Sequence, residues 1–267
     1  MLSGKGGIVL SFSFVIEPTI NGGSIAYFRI MRPEMRNAVN YDVMSGLEEF
    51  LDRIEDDPEI SFAVISGEGN LAFCSGGDLS DFHGFQTAED AWPMLSRGAK
   101  ILYRIATLPM PTIALINGAA VGGGCELATA CDYRLVASHA KAGFIQGTLA
   151  ITSGWGGATL LFEKNSPHDQ LLQLTSRASV HSADKLKELG WATEVYNGDA
   201  DAALDQFLAP MLKVHRNVHR AYKSIATRKW QANNLREAMQ EEARVCSVLW
   251  ESDAHHEAVQ RFLTKNK

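Results

Sequence analysis

The sequence predicts an α/β layered fold with some parallel sheet, on three observations. Short apolar runs of strand length recur, separated by segments with helical spacing of apolar residues. Asn-Gly and Gly-Gly pairs punctuate these runs as turns. From Asp169 onward helical patterns dominate, which predicts a packing subdomain after the α/β core. The chain of 267 residues is long enough to bury a large core.

Taken in order, residues 8–16 and Ser24–Ile30 read as strands, and Asn21-Gly22 between them is a hairpin signal because both residues tolerate positive φ. Pro33 stops the second strand. Residues 40–54 place Val43, Met44, Leu47, Phe50, Leu51 and Ile54 on one helical face. Residues 62–66 and 72–73 read as short strands, and residues 91–108 as a helix ended by Pro109 and Pro111. Thr112–Ile116 is the next strand, Asn117-Gly118 a turn, and Gly122-Gly123-Gly124 the entry to a helix running to Ala130; residues 133–136 are again strand-like. Helices are expected at 170–175, 182–189, 202–213 and Leu235–Trp250. No repeat or low-complexity tract is evident.

Composition excludes several classes. Hydrophobic residues are 46% and charged residues 21%, an ordinary globular mix rather than a disordered one. The net charge of −6 and the lack of a long basic run disfavour nucleic acid as partner, while leaving room for a local basic pocket. Cys74, Cys125, Cys131 and Cys246 form no CxxC pair, so no zinc cage is expected, and scattered thiols fit a reducing compartment. The apolar run at 8–16 is too short to span a bilayer, and Glu17, Pro18 and Thr19 after it offer no small-residue cleavage site. The expectation is a cytoplasmic protein with no membrane partner. The early Ser-Gly-Lys-Gly-Gly stretch lacks phosphate-loop spacing and is set aside.

Two segments carry chemistry. Phe73-Cys74-Ser75-Gly76-Gly77-Asp78-Leu79 sets two glycines after a strand, where the backbone turns as larger residues forbid; alone, this is a tight surface turn. Asn117 to Leu127 (NGAAVGGGCEL) sets three glycines at a helix start, where free N–H groups and the positive end of the helix dipole suit an anionic oxygen. Glu126 lies about one turn beyond Gly123, so its carboxylate can face the same region. A lone Gly-Gly-Gly would signify only close strand–helix packing.

Taken together, FCSGGDL and NGAAVGGGCELATACDYRL, in this order and separation, resemble the crotonase (enoyl-CoA hydratase/isomerase) superfamily. Supporting matches include GSIAYFRIMRPEMRNAVN (23–40), LQLTSR (172–177), residues 182–195 and the tail from Leu235 to Ser252. The resemblance implies a core of repeated ββα turns over residues 1–200 and a C-terminal helical oligomerisation region over 201–267, assembled as a homotrimer or dimer of trimers. It implies an acyl-CoA substrate, and no cofactor beyond the coenzyme A that the substrate carries. It implies that the N–H groups of Gly77 and Gly123 bond the thioester oxygen and stabilise its enolate. Preorganised donors of this kind contribute about 3 kcal/mol each. It implies, finally, that coenzyme A lies along Arg36, Ala38, Cys74, Asp78 and Leu79, with Arg36 able to pair with a phosphate.

The sequence departs from the family pattern at one catalytic position. Hydratases of the family use two glutamates; Glu126 matches one, and counting back from Gly156-Gly157 places the other on Gln146, preceded by Ile145 where proline is usual. Glutamine is no acid or base near pH 7, although it can orient water or a substrate carboxylate. Trp155 before the paired glycines, with the tail 248–258, is similar to a subgroup that includes ethylmalonyl-CoA decarboxylase. Decarboxylation needs an oxyanion hole but not two carboxylates, so the expected activity leans to decarboxylation of a substituted malonyl-CoA over hydration of a 2-enoyl-CoA. Double-bond isomerisation is weaker, because its base usually sits at the Gln146 position. An RNA-binding crotonase fold is disfavoured by acidity and by the intact glycine pair. His83 is expected on a solvated loop. His255-His256 does not share a helix face, and no metal is expected.

Overall fold

The computed structural model describes residues 10–20, 22–164 and 167–265. The segments are β1 (Phe12–Pro18), β2 (Ser24–Ile30), α1 (Tyr41–Ile54), β3 (Ile60–Gly67), β4 (Ala72–Cys74), α2 (Leu79–Phe82), α3 (Ala88–Thr107), β5 (Thr112–Ile116), β6 (Ala119–Val121), α4 (Gly123–Ala130), β7 (Tyr133–Ala137) and β8 (Lys141–Gly143). They continue as α5 (Gly157–Lys164), α6 (His168–Ser176), β9 (His181–Ser182), α7 (Ala183–Glu188), β10 (Glu194–Tyr196), α8 (Ala200–Leu208), α9 (Arg216–Ala232), α10 (Leu235–Trp250) and α11 (Asp253–Lys265).

Two mixed sheets result, in the order β1-β2-β3-β5-β7-β10 and β4-β6-β8-β9. Strands β2, β3, β5, β7 and β10 are mutually parallel, as are β4, β6 and β8, whereas β1 and β9 pair antiparallel at the edges. Each of the pairs β3–β4, β5–β6 and β7–β8 gives one strand to each sheet, so the chain steps between layers every turn. That stepping explains why the second-sheet strands are so short. Asn117 fixes one step: its side-chain amide bonds the carbonyls of Gly67 (2.8 Å) and Gly69 (2.6 Å), and its oxygen accepts from Gly67 N–H at 3.2 Å. Buried Asn37 does the same from the other side, donating to the carbonyls of Glu68 and Ala72. Such fully bonded buried amides fix the loop, since an unbonded one would be costly.

Helix α1 is capped by Asn40, whose side chain accepts from Val43 N–H, and buries the six apolar residues named above. Helix α3 begins three residues earlier than expected because Thr87 and Asp90 form a capping box. The expected helix over 202–213 is interrupted: α8 ends at Leu208, Pro210 follows, and Met211–Lys213 is a separate 3-10 turn. Strands β6, β8, β9 and β10 and helices α5, α9 and α11 were not expected. Helix α9 escapes periodicity because it buries only Lys223, Thr227 and Trp230. The hairpin pairing of β1 with β2 holds from Phe12 to Pro18, while Ile8, Val9 and Asn21 of the expected elements lie outside the described residues. Trp230, Leu235, Met239, Cys246 and Trp250 from the C-terminal helices join the same core as the strands. No helix among the described residues is long and apolar enough to cross a membrane.

A buried ion cluster ties the layers. Asp132 accepts from Thr112 N–H (2.8 Å), Thr112 Oγ1 (3.0 Å) and Lys223 Nζ. Burial disfavours its charge, but Lys223 and Lys164 hold its carboxyl below the usual range. Lys164 donates to the carbonyls of Thr129, Ala130 and Cys131, closing the C-terminus of α4 from α5. Asp132→Ala leaves Lys223 buried beside nothing of opposite charge. It is expected to destabilise the fold by about 3 kcal/mol, read as a lower urea midpoint, while Arg261→Ala at an exposed pair leaves the midpoint unchanged.

Candidate active site

The two glycine turns meet. Gly76 has φ +98° and Gly122 φ +57°, a region that L side chains rarely adopt. In each turn the glycine with positive φ directs the N–H of the next residue. Those next residues are Gly77 and Gly123, and neither N–H donates to any acceptor among the described residues. Both line one cavity of about 150 Å³. The three glycines of the second turn act differently. Gly122 supplies the conformation, Gly123 the donor, and Gly124 the approach, since a Cβ there would overlap the Cys74 carbonyl. A Cβ on Gly76 would lie 3.0 Å from Gly123 N. Gly123 also begins α4, so the helix dipole points at the same place.

Glu126, in the first turn of α4 and 2% exposed, faces this cavity from below. Four donors converge on its carboxylate. Oε1 accepts from Gln146 Nε2 at 2.8 Å and Gly154 N–H at 3.3 Å; Oε2 accepts from Trp155 N–H at 2.8 Å and Gly157 N–H at 2.9 Å. A carboxylate offers about four acceptor sites, so each is taken. Gly157 is required here, because any Cβ would collide with Glu126 Cγ. The structure thus brings Gly77, Gly123, Glu126 and Gln146 to one cavity.

A second carboxylate, missed in the sequence, lies on α10. Glu242 accepts from Ala158 N–H (3.1 Å) and Thr159 N–H (2.7 Å), so Glu126 and Glu242 share the N-terminus of α5. Burial pushes the Glu126 carboxyl above the usual range, the charge of Glu242 adds to the push, and the backbone N–H groups oppose it. Glu242 is raised by burial too. Among the described residues that line the cavity, Glu126 is the only carboxyl.

The other expected residues divide. Leu79 lines the cavity. Arg36 is exposed, in the left-handed region at φ +51°, and its carbonyl accepts from Ser75 N–H at the cavity rim. Ala38, Cys74 and Asp78 are buried, and none lines the cavity. The Asp78 side chain is turned inward, paired with Arg32 at 2.8 Å and capping α2 through Ser80 N–H. Any coenzyme A contact along Cys74 and Asp78 would run through their backbone, since both side chains are buried away from the cavity. His83 is exposed and holds the Leu79 carbonyl. His255 is buried under Trp250 with its ring against the Leu149 carbonyl, and no group of three possible metal ligands occurs among the described residues.

The family profile described as Enoyl-CoA hydratase/isomerase matches residues 21–267. The chain is 30% identical to an ethylmalonyl-CoA decarboxylase of Xenopus tropicalis over 91% of its own length and 81% of the relative's. It is 29% identical to a crotonyl-CoA hydratase of Syntrophomonas wolfei over 91% of its length and 93% of the relative's. In fold it is similar to an enoyl-CoA hydratase from Bacillus halodurans, with TM-score 0.82 at 19% identity, covering 93% of this chain and 99% of that one.

Removing the charge of Glu242 stabilises the ionised form of Glu126 and leaves α5 its other cap. In Glu242→Gln the protonated-carboxyl infrared band that Glu126→Gln abolishes is expected to disappear at lower pH than in the parent. A band that titrates at the same pH in both contradicts the coupling.

Proposed function

The chain belongs to the enoyl-CoA hydratase/isomerase, or crotonase, family, and within it we propose an enolate-forming lyase that decarboxylates a substituted malonyl-CoA. The observation that carries this reading is that Glu126, the one carboxyl among the described residues lining the cavity, is bonded to a neutral Gln146. The thioester oxygen sits at Gly77 N–H and Gly123 N–H. The bond from Cα to the substrate carboxylate breaks, CO2 leaves, and the electron pair enters the enolate, whose oxygen charge the two donors and the α4 dipole stabilise. Cα then takes one proton from Glu126, which solvent restores. A carboxyl whose pKa is raised toward neutrality suits that transfer.

Gln146 suits both protonation states. Its N–H donates to Glu126 when the carboxylate is charged; with the amide turned over, its oxygen accepts from the protonated carboxyl. A glutamate at 146 would set two carboxyls in contact and repel the substrate's own carboxylate. Exposed Arg36, whose carbonyl accepts from the cavity residue Ser75, is the cation for a coenzyme A phosphate. Hydration of a 2-enoyl-CoA is the second reading, favoured by Glu126 itself and by the similarity to a crotonyl-CoA hydratase. It requires a water to take the place of the Gln146 amide at Glu126 Oε1. We propose further that the helices of 201–267 serve assembly into trimers, supported by Tyr222 and Ile225, which are 71% and 57% exposed on α9.

Incubation with methylmalonyl-, ethylmalonyl- and crotonyl-CoA, with products identified by mass, tests the reading: loss of CO2 is expected from a substituted malonyl-CoA, and rapid hydration of crotonyl-CoA without CO2 release contradicts it. Gln146→Glu is expected to cut decarboxylation at least tenfold and to raise crotonyl-CoA hydration. At about 4 Å and an effective dielectric near 20, the added repulsion is roughly 4 kcal/mol before relaxation.

A further inference from the structure

Trp155 stands in a slot that Gly98 of α3 and Gly123 of α4 keep open, with Gly77 in contact at its edge. A Cβ on Gly98 of α3 would overlap the pyrrole edge of the indole, one on Gly123 would lie 2.5 Å from Cζ3, and one on Gly77 would lie 3.7 Å from Cζ2. The benzo edge of one ring therefore abuts both backbone donors. The ring is 5% exposed and forms part of the cavity wall. Its backbone is fixed as well: Trp155 N–H donates to Glu126, and Gly156 beyond it has φ +82° and packs against Met239 with no room for a Cβ. An indole held at both ends in this way does not swing aside for a larger ligand.

We propose that Trp155 is the acyl gauge of the site: its indole closes the apolar pocket beside Gly77 and Gly123 and restricts the ligand to a short acyl chain with at most a small α-substituent. The inference rests on the acyl-CoA reading above. With the thioester oxygen at the two N–H groups, Cα and its substituents enter a space of about 150 Å³ that Trp155, Leu95, Met94 and Cys246 bound with apolar surface. Such a wall excludes water and rewards contact only up to its own position. Carbons beyond it must displace the ring or turn back to the mouth. Gly98 is the partner of the gauge, since it sets how deep the indole sits.

Calorimetric titration with free CoA, butyryl-CoA and octanoyl-CoA tests this, because the saturated thioesters bind without reacting by either route. A methylene received into apolar surroundings strengthens binding about fourfold. In the parent, octanoyl-CoA is expected to bind no tighter than butyryl-CoA. In Trp155→Ala the ratio should shift by at least tenfold in favour of octanoyl-CoA, and in Trp155→Phe by a smaller factor, with free CoA unchanged as the check on folding. Gly98→Ala acts in the opposite sense: it drives the indole into the pocket and weakens butyryl-CoA while sparing free CoA. A parent that already prefers octanoyl-CoA tenfold, or folded variants that leave the ratio unmoved, overturns the gauge alone. Binding of free CoA with no added affinity for any acyl thioester removes the acyl-CoA reading, and the gauge with it.

Discussion

The contact between the two glycine turns is the constraint on which the site depends. Gly124 lies so close to the Cys74 carbonyl that no side chain fits between them, and a Cβ on Gly76 would come to 3.0 Å from Gly123 N. Two neighbouring strands of the second sheet, β4 and β6, must deliver their turns to the same point, which requires the register of β4 against β6 and of β6 against β8. The buried amides of Asn37 and Asn117 hold the loop between β3 and β4 at the necessary height. Two N–H groups that would otherwise meet water are thereby fixed beside an apolar wall. Low local polarity is what gives such donors their strength toward an anionic oxygen.

A second constraint is electrostatic. The N-terminus of α5 offers a set of free N–H groups, and two carboxylates from distant parts of the chain, Glu126 and Glu242, take them. Each is stabilised by the helix start and disturbed by the other. The same segment carries Trp155 and the paired glycines, so the indole wall of the cavity and the Glu126 carboxyl are positioned by one turn of backbone. Lys164 at the far end of α5 closes the C-terminus of α4, so the two helices are joined at both ends. Displacement of α5 would thus disturb Gly123, Glu126 and Trp155 together.

Much of this was legible in the sequence because glycine has few reasons to cluster. Gly76-Gly77 and Gly122-Gly123-Gly124 mark positions where conformation or space excludes side chains, and α1 announced itself by its apolar face. Strands β6 and β8 were not legible, since three residues carry no period. Helix α9 was missed for the opposite reason: its length is ample but its buried face is a lysine, a threonine and a tryptophan. Glu242 reads as one more charge on an amphipathic helix, and only the packing of α10 against α5 turns it inward. The slot for Trp155 depends on Gly98, far away in sequence and in the middle of α3. For Cys74 and Asp78 the family pattern says nothing of burial, and the structure turns both side chains into the fold, Asp78 onto Arg32.

The account turns on whether Gly77 and Gly123 hold the thioester oxygen. Isotope-edited infrared spectroscopy of butyryl-CoA labelled with 13C at the carbonyl reads that directly. Two preorganised donors should shift the carbonyl stretch of the bound ligand to lower frequency and narrow it relative to the free thioester. A bound ligand whose carbonyl band stays where it is in water would contradict the assignment.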